Sequence, residues 1–335
     1  MLLSGLLGGT VAIVAYFDPL CSTGTIRKYN RIIPVIDARL QKTNLLMRSK
    51  DSYDALLIGS SRVEQFKQED FLPLRVFNYS APAMYLDELE EYIDLFLRVN
   101  NSKPEVIFLG LDFYGTNLKM HKHARPPGYY IKTCSSPFTL GTFLNLDTLK
   151  YSLRMACCKK ARFNYDRMTL DKLTGLFSRE ETEKLREGDK VVFAQTFYGD
   201  YAYNPDYHRQ LQSLKERYGQ IRFVVFTTPE TMELFQVLVA KERLGDYERW
   251  LRDIVDVFGS AYNLMLPTRI TIDREIFFDA HHLYPEKATP VIRLITGIDK
   301  PGNNDVGYLV NRENIKEQMD IIHNVFIAPK EKVIQ

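Results

Sequence analysis

Cysteine is scarce in this chain, and its spacing matches no metal-binding or redox motif. The 335 residues include four cysteines and no Cys-x-x-Cys pair, which excludes a small disulfide-stabilised domain and a cysteine-rich zinc module. Cys157 and Cys158 are adjacent, and this arrangement disfavours a bond between them. Bridges to Cys21 or Cys134 would suit an oxidising compartment, and the spacing leaves them open.

An excess of charge of one sign is also absent, as are internal repeats and low-complexity tracts. Lys and Arg number 44 and Asp and Glu 42, so the formal net charge of +2 argues against a nucleic-acid partner. With 45% hydrophobic and 26% charged residues, the chain is long enough for one large globular domain with insertions or for two small ones. Aromatic residues reach 12%, and they either fill the core or line a sugar-binding groove.

The first 17 residues form an uncharged and mostly apolar stretch. At about 1.5 Å per residue it reaches the short limit for a bilayer core of about 30 Å, and no basic residues precede it as they would in a cleaved signal peptide. We predict a membrane anchor over 1–17 and a linker over 18–52, the alternative being a buried core helix. Arg27, Lys28 and Arg31 follow the anchor, and the positive-inside rule would keep them in the cytoplasm.

A short apolar run followed by glycine and two serines is the first candidate for chemistry. Residues 56–58 predict a buried strand, and Gly59 predicts a tight turn after it. Ser61 would then stand beyond the carboxyl end of the strand, where open α/β sheets hold their working groups, with a helix starting at 63–66. The alternative is that this serine only caps the helix.

A carboxylate and a histidine three residues apart form the second candidate. Asp279 and His282 lie just before a helix predicted over 285–295, and a general base held by a carboxylate requires such a pair. The order Ser61, Asp279, His282 along the chain is also the order found in α/β hydrolases. His281 is the competing base.

Alternating strand and helix patterns predict an α/β fold. Strand, helix and strand at the spacing of the first elements form a βαβ unit, so the sheet should be parallel with right-handed crossovers. Trp250 lies on the apolar face of its predicted helix and is expected to be packed. The expected strands after residue 58 are 75–79, 105–110, 222–227 and 262–266, and the expected helices are 86–97, 207–218, 245–258 and 285–295.

At the two candidate sites the chain resembles the SGNH/GDSL hydrolase superfamily. Residues 59–62, Gly-Ser-Ser-Arg, are similar to its first block, with Ser61 at the nucleophile position. Residues 279–282, Asp-Ala-His-His, are similar to its last block, Asp-x-x-His. The resemblance implies a three-layer sandwich with a central parallel, flavodoxin-like sheet, and a catalytic triad of Ser61, Asp279 and His282.

The two middle blocks depart from the family pattern. Residues 78–83 resemble the second block, Asn-x-Gly-x-x-Gly, although Ser80 and Ala83 replace both glycines. Residues 109–112 stand where the family often has Gly-x-Asn-Asp, so the oxyanion Asn is missing from its usual place. The resemblance then implies an oxyanion hole made of backbone N–H groups near Ser61 and Ser80. The predicted oxyanion and substrate-binding residues are Ser80, Asp112, Arg62 and Asn78.

Asp112 has two interpretations at this stage. It either orients a substrate hydroxyl or the Ser61 turn, or it caps the loop that follows it through its own side chain.

The apolar N-terminal stretch, Asp18-Pro19 and the Ile-Gly-Ser-Ser-Arg block resemble a membrane-anchored branch, which includes the D-alanyl-lipoteichoic acid transfer protein and polysaccharide O-acetylation accessory proteins. That branch implies a periplasmic or cell-surface domain, against the positive-inside rule. We therefore expect residues upstream of Met1 in the complete protein.

The predicted α/β domain covers 53–300, with a helical and loop insertion over about 115–190 and a polar C-terminal tail over 301–335. Loops grafted on a fixed sheet often set specificity, and we expect the insertion to do so. His121 and His123 lack further ligands at a suitable spacing, so we expect surface histidines and no metal site. A basic stretch in the insertion either faces solvent or meets anionic polymer or lipid headgroups; it consists of Lys150, Arg154, Lys159, Lys160, Arg162 and Arg167.

The residues and the resemblance together predict an SGNH-type esterase or O-acyltransferase that acts without a cofactor. The expected substrate is an acylated envelope polysaccharide, most simply an O-acetylated one, and the expected partners are the membrane and a membrane-bound O-acyltransferase. A second hypothesis is a non-catalytic subunit that binds polymer or scaffolds the acyltransferase, because both block-two glycines and the block-three Asn are missing. A third is a lipid esterase anchored at the surface.

Overall fold

The computed structural model describes residues 2–120, 125–135, 140–157, 161–300 and 305–327. These residues form an α/β fold with a mixed and mostly parallel main sheet of six strands. The predicted α/β class is therefore confirmed, and this sheet is compatible with the predicted sandwich. Some features named in the sequence lie outside the described residues: His121, His123, Cys158, Lys159, Lys160 and the 301–304 break.

Strands and helices alternate through most of the described chain. The strands are β1 (Ile32–Pro34), β2 (Ala55–Ile58), β3 (Val76–Asn78), β4 (Val106–Leu111), β5 (Phe163–Asp166), β6 (Lys172–Thr174), β7 (Arg222–Thr227), β8 (Ser260–Asn263) and β9 (Tyr308–Asn311). The helices are α1 (Leu2–Phe17), α2 (Ala38–Arg48), α3 (Leu89–Val99), α4 (Pro127–Ser135), α5 (Leu140–Phe143), α6 (Leu146–Ala156), α7 (Arg179–Val192), α8 (Tyr207–Arg217), α9 (Met232–Ala240), α10 (Leu244–Phe258), α11 (Arg269–Ile272), α12 (Thr289–Ile295) and α13 (Ile315–Phe326).

The main sheet has the strand order β3-β2-β4-β7-β8-β9. β2 pairs with β3 and β7 pairs with β8 in the predicted parallel sense. β2 and β4 are buried along their whole length, which suits a sheet covered on both faces. The prediction differs at one edge, because β9 pairs antiparallel with β8 and, with α13, lies in the stretch that was predicted to be a polar tail.

The chain divides into two compact units, and the first comprises Met1–Ile107 and His123–Leu176. In this unit β1, β5 and β6 form a separate antiparallel sheet. Residues 18–52 were predicted to be a linker with a short helix, but α2 is buried along much of its length despite its polar sequence. Its buried polar side chains are those of Arg39, Gln41, Lys42, Thr43 and Asn44.

The second unit comprises Phe108–Lys122 and Phe177–Gln335. Trp250 on α10 is fully buried, as predicted, and its indole N–H donates to the Tyr207 hydroxyl at 3.1 Å. Helix α7 lies where no regular pattern had been recognised. Its start is a capping box, in which the Ser178 and Glu181 side chains each accept the other residue's backbone N–H.

Helix α1 contacts α6 in the first unit. Among the helices of the described segments, none combines the length and the apolar character needed to cross a bilayer.

The thiols of Cys21, Cys134 and Cys157 are free. Burial raises the pKa of the Cys134 thiol to about 12, which keeps it protonated and unreactive at neutral pH.

Candidate active site

Ser61 lies in the turn that follows β2, at the carboxyl end of this strand. The preceding Ser60 is fully buried and its carbonyl accepts the backbone N–H groups of Val63 and Glu64 at 3.1 and 3.3 Å, which closes the turn. A short 3-10 helix, Val63–Gln65, replaces the longer helix that was predicted to start here. Ser61 is half-buried, in contrast to the fully buried Ser60 before it.

Asn78 and Ser80 lie beside this turn, because the pairing of β2 with β3 continues past both strands. The N–H of Ala81 donates to the carbonyl of Gly59 at 3.1 Å. The Asn78 side-chain amide donates to the carbonyls of Val63 and Phe66, at 3.0 and 3.2 Å. Asn78 is buried, so its observed role is to hold the short helix after Ser61 against the Ser80 loop.

The backbone N–H of Ser80 has a partner within its own loop. It donates to Asn78 Oδ1 at 3.1 Å. The Ser80 hydroxyl is buried and makes no hydrogen bond to the part of the chain that the structure describes. An oxyanion hole that used the Ser80 N–H would require this donor to leave the Asn78 amide or to share itself with a second acceptor.

A buried cluster of charges lies directly below the Ser61 turn. Glu64 is fully buried; its Oε2 binds Lys172 Nζ at 2.8 Å, and its Oε1 lies 3.3 Å from Lys42 Nζ and accepts the Tyr165 hydroxyl at 2.5 Å. The ammonium of Lys42 also donates to the carbonyl of Ser80. This Glu64 cluster therefore ties the helix after Ser61 to the Ser80 loop through α2.

In the Glu64 cluster, ion pairing has a larger effect than burial on the pKa of Glu64. For the pKa of Lys42, burial has the larger effect. Burial raises the pKa of Glu64, but Lys172 and Lys42 lower it more, to about 2. Burial lowers the pKa of Lys42 to about 8, against the attraction of Glu64. The cluster thus contains an ionised carboxylate at neutral pH with two buried ammonium groups against it.

In the second unit, Asp279 and His282 meet as the sequence predicts. Asp279 Oδ2 lies 2.6 Å from His282 Nδ1, and its Oδ1 accepts the backbone N–H groups of His281 and His282 at 2.9 and 2.7 Å. The loop closes on itself, since the Phe278 N–H donates to the carbonyl of His282 at 3.0 Å. The His282 ring also stacks on the Phe278 ring, with an interplanar angle of 2°. The carboxylate of Asp279 and the ring of Phe278 together fix the orientation of the His282 imidazole.

The Asp279 carboxylate is held in its charged form. Burial opposes ionisation, but the adjacent His282 and His281 rings and the hydrogen bonds from His282 and His281 lower the pKa of Asp279 well below its ordinary range. An ionised, buried carboxylate bonded to Nδ1 places a proton on that nitrogen and stabilises an imidazolium. Nε2 of His282 is then the nitrogen that can accept a proton.

Two further elements hold the same loop at Ala280. The Thr231 N–H and hydroxyl both donate to the carbonyl of Ala280, at 3.0 and 2.9 Å. The Ala280 N–H donates to Asp189 Oδ2 of α7 at 3.1 Å. Arg186, one turn earlier on α7, donates to the carbonyls of Arg274 and Phe277. Ala280 is therefore clamped on both sides, between the two residues of the Asp279–His282 pair.

His281 makes contacts that differ from those of His282 and do not suit a general base. Its Nε2 lies 3.8 Å from Asp189 Oδ2 and its ring packs on Phe193. The ring of His281 also lies 4.0 Å from that of His282. Asp279, His281 and His282 each offer one potential metal-ligand atom within 4.8 Å of the others. Tetrahedral zinc ligands lie about 3.3 Å apart, and Asp279 already binds His282, so this geometry suits a hydrogen-bonded pair better than a zinc site.

Asp112 follows β4, and its carboxylate binds a side chain on the neighbouring loop. Its Oδ1 accepts the Thr228 hydroxyl at 2.5 Å, and the Thr228 N–H donates to the carbonyl of Leu111 at 3.1 Å. Asp112 precedes the 3-10 helix Phe113–Thr116 without capping it through its side chain. The capping alternative for Asp112 is therefore wrong, and the observed bond instead joins the ends of β4 and β7.

The predicted residues thus form two groups. Ser61, Arg62, Asn78 and Ser80 belong to the first unit, where the last two lie beside the Ser61 turn; Asp112, Asp279 and His282 belong to the second, where Asp279 and His282 form a bonded pair. Sequence reasoning missed the supporting residues. The Ser-x-x-Glu capping box at 178–181 could have revealed α7 and its carboxylate, whereas no pattern identified the buried cluster, which consists of Lys42, Glu64, Tyr165 and Lys172.

Comparisons of this chain with protein-family models, with curated proteins and with solved structures gave no significant match.

We predict that Thr231→Val costs about 1–2 kcal/mol of unfolding free energy, because it removes a buried hydrogen bond to Ala280 and the side-chain cap of α9. Thr231→Ser keeps the hydroxyl and should restore the stability. The measurement is urea unfolding of both variants beside the wild type. An unchanged free energy of unfolding in Thr231→Val would show that the hydroxyl does not stabilise the loop at Ala280.

Proposed function

We propose that this protein is an SGNH-type serine esterase or O-acyltransferase in which Ser61, His282 and Asp279 act as one catalytic centre. The observation that carries the proposal is the 2.6 Å bond between Asp279 Oδ2 and His282 Nδ1, made by a carboxylate that also accepts two backbone N–H groups. Such a bond serves to fix a histidine tautomer for general-base catalysis. A half-buried serine in a tight turn after a buried strand supplies the matching nucleophile.

In the proposed reaction, Ser61 Oγ attacks the carbonyl carbon of an ester while His282 Nε2 takes the hydroxyl proton. Asp279 remains ionised and stabilises the imidazolium. Collapse of the tetrahedral intermediate breaks the bond to the alcohol oxygen, which receives the proton from His282 as it leaves. Water or a sugar hydroxyl then attacks the acyl-serine by the same steps in reverse, so hydrolysis and transfer differ only in the acceptor.

The strand order supports this arrangement on general grounds. When these strands are numbered along the chain, the stretch β3-β2-β4-β7-β8 has the order 2-1-3-4-5, which is that of doubly wound flavodoxin-like sheets. In such sheets the ligand-binding and catalytic residues lie beyond the carboxyl ends of the strands, at the switch point between the first and third strands. Ser61 follows β2, the first strand in this order, so its position in the chain agrees with the proposed role.

For the substrate, we propose an O-acetylated or otherwise acylated polysaccharide of the cell envelope. The proposal rests on the resemblance of the Ser61 and Asp279 blocks to the membrane-anchored SGNH branch, and on the apolar helix α1. In this setting α1 would hold the domain at the membrane on its extracytoplasmic side, next to a membrane-bound O-acyltransferase that supplies or accepts the acyl group.

The adjacent histidines provide a matched test of the proposed base. His282→Ala should lower kcat on an acetylated oligosaccharide by about 10²- to 10⁴-fold, because the serine loses its general base. His281→Ala should leave kcat within a few fold, since its ring faces Asp189. Equal losses in the two variants, with both proteins folded by circular dichroism, would contradict the assignment of His282.

A second candidate function is a non-catalytic subunit that binds the polymer or scaffolds the acyltransferase. The observation that favours it is the bond from the Ser80 N–H to Asn78 Oδ1, which occupies a donor that acyl-transfer chemistry needs. The two functions differ in cells. Full polymer acylation with Ser61→Ala, together with loss of acylation on deletion of the whole gene, would select the scaffold.

A further inference from the structure

Helix α6 turns leucines toward solvent and small polar side chains toward the protein. Leu146 is 80% exposed and Leu153 is 46% exposed, whereas Thr148 and Ser152 are buried. A surface helix in a water-soluble domain has the opposite arrangement, because its apolar stripe packs on the core. The reversed arrangement is the one expected where the outer face of a helix contacts hydrocarbon.

The outward side of α6 forms one continuous apolar face. It lines a groove of about 440 Å³, and its residues recur at spacings of three and four, which places them on one side of the helix. Two basic residues also line the groove and are exposed, and long basic side chains commonly lay their aliphatic stems on apolar surface with the charged ends in water. This α6 face consists of Leu146, Leu149, Lys150, Leu153, Arg154 and Cys157.

Helix α1, which contacts α6, exposes large apolar side chains as well. Leu6 is 65% exposed, and Leu7 and Tyr16 are each 46% exposed. Single exposed leucines are normal on a protein surface, but two adjacent helices that both expose them form a patch of the kind that marks an interaction site.

Charge decides which partner suits the α6 face. Lys150 and Arg154 are exposed and lie between the leucines, and the guanidinium of Arg154 also lies 5.9 Å from the centre of the Tyr151 ring. Asp147 is the only acid on α6. An apolar stripe with basic side chains at its edge complements an anionic bilayer, where leucines enter the acyl boundary and the cations bind headgroup phosphates.

We propose that the α6 face is a second membrane-docking element, which holds the first unit flat against an anionic bilayer alongside α1. Lys150 and Arg154 bind the lipid phosphates, and Leu146, Leu149 and Leu153 enter the interface. The inference extends the proposed membrane location of α1, and it does not depend on the acyl-transfer chemistry of Ser61.

The test uses the full chain with one added indole. The native Trp250 is fully buried, so Leu153→Trp introduces an exposed reporter on α6. With vesicles of equimolar brominated phosphatidylcholine and phosphatidylglycerol, we expect strong quenching of the added indole. Leu176→Trp, at a leucine that is 82% exposed and lies off α6, is the matched control and should be little quenched.

A second pair of variants tests the charges. Lys150→Ala with Arg154→Ala should weaken binding to these anionic vesicles by at least about tenfold and leave binding to pure phosphatidylcholine unchanged. Arg98→Ala with Lys103→Ala, which removes two exposed cations elsewhere in the first unit, should have little effect. Circular dichroism verifies that each variant is folded.

Two results would overturn the proposal. Vesicle binding by the full chain without quenching at position 153 would mean that α1 anchors the protein alone, and the membrane location would stand without α6. Concentration-dependent self-association that shields the indole in the absence of lipid would assign the α6 face to a second copy of the chain instead.

Discussion

Ser61→Ala is expected to lower kcat on an acetyl ester by about 10⁴- to 10⁶-fold while the free energy of unfolding changes by less than about 1 kcal/mol. The large kinetic effect is expected because the proposed triad has no substitute for the attacking oxygen. The small stability effect is expected because Ser61 is half-buried and the turn is closed by backbone bonds to Ser60. The measurements are steady-state kinetics and urea unfolding.

Ser60 supplies the matched control within the same turn. Its side chain is fully buried, and its Oγ accepts the N–H of Arg62 at 3.3 Å. Ser60 therefore stabilises the turn, and its hydroxyl is not accessible to a substrate. Ser60→Ala should cost about 1 kcal/mol of stability and leave kcat within a few fold. If Ser61→Ala retained a kcat similar to that of Ser60→Ala, the nucleophile assignment would be wrong.

Glu64→Gln is expected to produce the largest loss of stability, about 3–5 kcal/mol, because it leaves the ammonium groups of Lys42 and Lys172 buried without their counter-charge. Lys172→Met should cost less, since Glu64 keeps its pairing with Lys42. Chemical unfolding at neutral pH measures both. The pair of half-buried Lys67 and exposed Glu69 is the control, and Glu69→Gln should cost less than about 0.5 kcal/mol.

The Glu64 cluster also predicts how stability depends on pH. The pKa of Glu64 falls from its ordinary 4.5 to about 2 in the folded protein, so its contribution is fully present above pH 4.5 and is lost as the pH falls toward 2. The wild type should therefore lose stability more steeply than Glu64→Gln over this range. Parallel pH profiles for the two proteins would show that Glu64 has no shifted pKa.

Loss of the Glu64 cluster should also affect the proposed chemistry. Lys42 binds the Ser80 carbonyl and Glu64 follows the Ser61 turn, so the cluster fixes the backbone on both sides of the nucleophile. In conditions where Lys172→Met is fully folded, we expect a decrease in kcat with little change in KM, which is the signature of a misplaced nucleophile rather than of weakened substrate binding.

Local patterns were sufficient for much of the sheet and for half of the candidate site. β2, β4 and β7 are continuous apolar runs that end at turn residues, so they could be recognised from the sequence alone. The bond between Asp279 and His282 joins residues three apart in one tight loop, so their spacing was enough to predict their contact.

The features that were missed depend on distant parts of the chain. β1 pairs with β5, and its partners Ile32 and Asp166 are far apart in the sequence, so three residues of weak pattern could not reveal the strand. α2 has too little apolar periodicity to predict burial, because its core-facing side chains are polar and are satisfied by other elements. The Glu64 cluster joins α2, β5 and β6 to the Ser61 turn and has no local signal.

The most direct test of the central claim is to locate the adduct formed with a serine-reactive fluorophosphonate. We predict one adduct on Ser61 in the folded wild-type protein, formed about 10²-fold or more slowly in His282→Ala and at the wild-type rate in His281→Ala. Peptide mass spectrometry on the labelled protein measures the position, and the time course measures the rate. A wild-type protein that forms no adduct on Ser61, or forms it at the same rate without His282, would contradict a shared catalytic centre.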